Sequence, residues 1–198
     1  MKEIKPRHVV LIVSAAALIF GAYYFVFPRR FLPGEFSDAR IKGSEVAGRI
    51  VELSRTTLSL LGEVSEYDQR RRVSQALVTI SQAISINKES QEEAIRLSSQ
   101  LAAMAENLPR IEPARARELA AEAVTAEVAL VSRLLYYNNY LSQLFEALRA
   151  KVTRPEASYL DGQVSDLITK INDEAQEINE LNKKFNGTMA EFDKVFGK

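Results

Sequence analysis

Carboxylates are the only abundant side chains in this 198-residue sequence that could act as acids, bases or metal ligands. Asp and Glu number 26, against one histidine and no cysteine. Without cysteine there can be no disulfide, zinc–thiolate centre or cysteine nucleophile. With His8 as the single histidine, a ferritin-like diiron site is excluded, because it needs two Glu-x-x-His pairs on neighbouring helices. Glu89, Glu92 and Glu93 stand among Lys and Arg and read as the solvated back of a helix. The eight glycines are scattered and form neither a P-loop nor a dinucleotide fingerprint. The sequence therefore predicts no catalytic residue, no metal, no cofactor and no small-molecule substrate, and the chain reads as a non-enzyme.

One polar–aromatic cluster stands out. Tyr136, Tyr137, Asn138 and Tyr140 fall within five consecutive residues. On a helix Tyr136 and Tyr140 share one side, while Tyr137 and Leu141 share another. Two readings remain open for the four residues. Either Tyr137 packs in a core whose register an Asn fixes through a hydrogen bond, or the group is a partner-binding patch.

The elements that must position these residues are helices. Beyond residue 38, prolines occur only at 109, 113 and 155, each where a helical pattern starts or stops. Apolar residues recur at spacings of three and four, and no segment alternates with period two long enough for a strand. The spacing predicts helices over about 39–86, 89–108, 113–154 and 156–196, with Ser37 or Asp38 capping the first. The first carries a coiled-coil-like seam through Val46, Ile50, Leu53, Thr57, Leu60, Val64, Tyr67, Arg71, Ser74, Val78, Ser81 and Ser85, with Gly62 as a point of kinking. Its second half turns polar, and Leu77, Ile80 and Ile84 on an adjacent stripe take over. Asn87-Lys88 interrupts the pattern. Ile95, Leu97, Leu101, Met104 and Leu108 mark the inner face of the second helix. The third is marked by Leu119, Ala123, Leu130, Leu134, Leu141, Leu144, Leu148 and Val152. The fourth follows Leu160, Val164, Leu167, Ile171, Ile178, Leu181, Phe185, Met189, Phe192 and Phe196. Each helix has one apolar stripe and must bury it against the others. An all-α antiparallel helical bundle results, with part of the longer first helix free to project.

Ahead of the bundle lies a different kind of segment. The nineteen residues from Val9 to Phe27 contain no charge. As a helix they would reach ~28 Å, about the hydrocarbon thickness of a bilayer. Bulky and basic residues follow, through Tyr23, Tyr24, Arg29 and Arg30, without a small-residue cleavage site, so the run reads as an uncleaved transmembrane anchor. The expected organisation is a tail at 1–8, an anchor at 9–28, a linker at 29–38 and the bundle at 39–198. Arg29, Arg30, Arg40, Lys42 and Arg49 lean the bundle towards the cytoplasm, while Lys2, Lys5 and Arg7 argue for the extracytoplasmic side. Outside the anchor region the chain has 21 basic and 25 acidic residues. That balance is poorly suited to nucleic acid. Arg70-Arg71-Arg72 reads as a solvated helix face.

The order of tail, anchor and long helices resembles the LemA family of bacterial membrane proteins. LAAMAENLPRI, from Leu101 to Ile111, is similar to that family's AEN-x-P stretch. Tyr137-Asn138, Leu141, Leu144-Phe145 and Leu148 stand at the spacing of its YNxxVxxYNxxIxxF motif, with Leu-Phe where the second Tyr-Asn would be. The likeness covers roughly residues 1–152 and implies an architecture, a membrane-tethered helical bundle, more than a mechanism. The expected function is a scaffold or interaction module of the bacterial envelope, with a protein partner or a second copy of the chain. A chemoreceptor-type sensory bundle and a membrane-tethered division or secretion adaptor are the alternatives.

Overall fold

The computed structural model of the protein describes residues 32–154 and 156–196. The predicted tail and anchor, including Val9 to Phe27, lie outside the described residues. Among the described residues no helix is long and apolar enough to cross a membrane, and there is no strand.

Four helices follow one another: α1 (Gly34–Gln69), α2 (Val73–Asn107), α3 (Ala114–Thr153) and α4 (Tyr159–Val195). A single 3-10 turn, Leu108–Arg110, joins α2 to α3. Arg49 meets Glu89 across α1 and α2, Asn87 meets Asn138 across α2 and α3, and Arg133 meets Glu174 across α3 and α4; with such mid-helix contacts and short connections, consecutive helices run antiparallel. The pairs α1–α2, α2–α3 and α3–α4 pack side by side, whereas the backbones of α1 and α4 hardly approach each other.

The first helix starts earlier and ends sooner than its spacing predicts. Pro33 precedes its first residue, and the Pro33 carbonyl accepts from the Phe36 and Ser37 amides at 3.1 and 3.3 Å. Ser37 and Asp38 thus lie inside the first turn, not at the cap, and part of the expected linker is helical. No break occurs at Gly62. The break falls at the arginine triplet, where Arg71 takes a left-handed φ of 54°. The Arg72 amide donates to the Tyr67 carbonyl at 2.8 Å, and the Arg71 amide to Asp68 at 3.0 Å. This six-to-one and five-to-two pairing is a Schellman ending, normally marked by glycine at the left-handed position. Arg70, Arg71 and Arg72 are therefore an exposed corner, not a helix face.

Asn87-Lys88, conversely, is no break. α2 runs straight through it, because the Asn87 amide nitrogen donates to the Asn138 carbonyl and to Ser142 Oγ, both at 2.8 Å. A tertiary partner makes a polar residue acceptable on the inner face of a helix. With the corner at 70–72, the four helices have similar lengths of 36, 35, 40 and 37 residues, and no long extension of α1 projects.

The corner also resets the phase of the seam. Val78, Ser81 and Ser85 face outwards, while Ala76, Ile80, Ala83 and Asn87 face in. Ile95 is 60 % exposed, contrary to its predicted place on the inner face. The eight marker residues predicted for α3 are all buried, as are Leu160, Val164, Leu167, Ile171, Ile178, Met189 and Phe192 of the fourth stripe, whereas its Leu181, Phe185 and Phe196 are only half-buried. Phe36 closes the end of the core that holds both the start of α1 and the 3-10 turn. Its ring lies 5.9 Å from that of Phe192.

Candidate functional site

The seam between α1 and α4 is where the bundle opens. Apart from Arg40, the residues α1 turns toward it are small, Gly43, Ser44 and Ala47, and α4 contributes Ala190 among its own. Without bulk to interdigitate, the two helices leave a cleft of about 170 Å³. Leu97, Leu101 and Met104 of α2 and Phe185 and Met189 of α4 form its apolar lining. Its polar groups are Arg40, Asn182, Asn186, Asp193 and, from α3, Glu127.

Glu127 is the chemically unusual member. It is 7 % exposed, and its Oε2 has no hydrogen-bond partner. Burial, which penalises the ionised form, pushes its carboxyl up to about 7. Near neutral pH it stands close to the balance between acid and carboxylate. Arg40 and Asp193 form a two-pronged ion pair, Nη1 to Oδ1 at 2.9 Å and Nη2 to Oδ2 at 3.0 Å. The Asn186 amide donates to Asn182 Oδ1 at 3.1 Å.

Such a cleft can hold a polar head against Glu127 and a short apolar body against α2. Among the described residues no cluster of three or more His, Cys, Asp or Glu could hold a metal ion.

The tyrosine–asparagine cluster does not share one face. Tyr137 and Asn138 are buried, at 5 % and 2 % exposure, and burial pushes the Tyr137 phenol up. The Asn138 backbone carbonyl accepts from Asn87 and from Ser142 Oγ, while its own side-chain nitrogen has no partner. Tyr136 is 55 % exposed. Tyr140 is half-buried, with Lys170 Nζ 5.8 Å from its ring centre. The outward part of the cluster is therefore Tyr136, which shares the outer face of α3 with the exposed Val128 and Leu135 at helical spacing.

Sequence reasoning missed Glu127 by reading carboxylates as helix backs. The signal was its register: Ala123, Glu127, Leu130 and Leu134 step by four, three and four, which places the acid in the inward stripe. The cleft itself was carried by three small residues, which leave no mark in an apolar pattern.

No family model matches the chain, and neither does any curated protein or solved structure.

Proposed function

We propose that the chain is a membrane-tethered helical-bundle interaction module of the bacterial envelope, of the LemA type, with no catalytic role. The observation that carries this reading joins sequence to fold. The charge-free run Val9 to Phe27 ends seven residues before α1 starts at Gly34. Behind it stand four amphipathic helices whose apolar stripes are used up against one another. A bilayer suits the length and the uncharged character of such a run. The AEN-x-P and Tyr-Asn resemblances support the same architecture. The apolar outer face of α3 at Val128, Leu135 and Tyr136 supports a protein partner, as the adaptor alternative also requires.

The test is alkaline extraction of membranes from cells expressing the full chain or a chain lacking residues 1–31. The full chain is expected in the pellet and the shortened one in the supernatant. Release of the full chain would refute the tether. Since the chain has no cysteine, single cysteines at Lys5 and at the exposed Lys88 report topology by impermeant labelling of intact cells. A cytoplasmic bundle leaves Lys88→Cys unlabelled.

A sensory bundle is the second reading, and the cleft favours it. A cavity lined by all four helices, with a buried titratable group inside, is the kind of place where a helical bundle holds a ligand.

A further inference from the structure

We propose that the cleft between α1 and α4 is a binding site for a small organic ammonium ion, its nitrogen paired with the Glu127 carboxylate and its apolar body against Leu97, Leu101 and Met104. Three observations converge on that chemistry. The first is Glu127, which lines the cleft and whose Oε2 is shut off from water without a partner. A buried polar atom left without a partner is costly, and a cation with N–H donors restores what burial removed. The second is size. A cleft of about 170 Å³ takes a body close to that of a small aromatic ring. The third is charge. Arg40 on α1 and Asp193 on α4 are the other charged residues lining the cleft, and they pair with each other. α2 contributes only apolar side chains to the lining. An ionised Glu127 is thus left as a single negative charge, which attracts a cation and rejects an anion.

Ligand and proton compete for this carboxylate. Glu127 in the empty cleft ionises only near pH 7, so an ammonium ion bound at lower pH must expel the proton. Affinity is therefore expected to rise about tenfold per pH unit below 7 and to level off above it.

The site does not depend on the membrane tether: loss of binding by a membrane-extracted chain refutes the site alone, and loss of membrane association refutes the tether alone. The probe is benzylamine, titrated calorimetrically into the full chain in detergent, with benzyl alcohol and benzoate as neutral and anionic counterparts of the same shape. Saturable binding of benzylamine, weakened by about tenfold or more in Glu127→Gln, is expected. Ala47→Leu, which fills the cleft and leaves the carboxyl in place, is expected to abolish it. This second variant decides the matter if Glu127→Gln does not fold. Absence of saturable benzylamine binding would overturn the proposal. So would equal affinity for benzyl alcohol, unchanged affinity in either folded variant, or affinity independent of pH between 5 and 7.

Discussion

Arg40 and Asp193 lie 153 residues apart in sequence, yet they make the only two-pronged ion pair between α1 and α4 among the described residues. The pair sits beside the Phe36–Phe192 contact and closes one end of a seam that is otherwise wide. The guanidinium is 15 % exposed and the carboxylate 6 %, so water screens the pair only in part.

Removing one partner strands the other in a poorly hydrated place. Asp193→Ala is expected to cost about 1–3 kcal/mol in urea unfolding. The double variant Arg40→Ala/Asp193→Ala should cost less than the two single changes added together. Strict additivity would show that the two side chains are not coupled.

The pH dependence of stability should carry the mark of Glu127. Its folded-state value of about 7 lies above its ordinary 4.5. Between those values the folded chain keeps a proton that the unfolded chain has released, so stability falls as pH rises through this window and levels off above it. The loss is on the order of 3 kcal/mol. Glu127→Gln removes that component, and its advantage over the parent should grow from pH 4.5 to pH 8. Parallel profiles for the two proteins would contradict the buried, unpaired carboxyl.

Asn87 should behave as a core residue despite its polarity. Asn87→Ala deletes donors to Asn138 and Ser142 and is expected to cost about 1–3 kcal/mol. A residue at a helix break would be nearly silent. Urea midpoints of the folded variants distinguish the two.

Neighbouring tyrosines should differ sharply. Tyr137→Ala empties a buried position and should cost about 3–5 kcal/mol, whereas Tyr136→Ala should stay within about 0.5 kcal/mol. Similar losses at both positions would argue against the observed facing of α3.

Gly62 lies inside α1 with open space where a Cβ would stand. Gly62→Ala is expected to raise stability by about 0.5–1 kcal/mol, because alanine is the better helix former and nothing must move. A loss would indicate that the glycine serves a bend.

These positions also explain what the sequence made legible. The stripes through α3 and α4 were readable because one continuous helix keeps one phase: Leu119 to Val152 and Leu160 to Phe192 never change face. The first turn between helices was not, because its left-handed residue is Arg71, where chemistry and custom lead one to look for glycine. Asn87 misled in the opposite direction, since its partners lie more than fifty residues away. Of the candidate cluster, the periodicity that separates Tyr136 from Tyr137 was visible, and of its two readings the one with Tyr137 in the core agrees with the burial of that residue. Glu127 sat in the apolar register all along, and only a cavity gives such a residue its meaning.

The unbroken course of α1 has a metric consequence. Its 36 residues, at ~1.5 Å each, hold the arginine corner ~54 Å from Gly34. That is many times the ~8 Å over which salt lets exposed charges sense each other. The three guanidinium groups are therefore electrostatically independent of whatever surrounds the opposite pole. The helix acts as a fixed ruler, and the height at which those charges are presented is set by backbone hydrogen bonds, not by any loop.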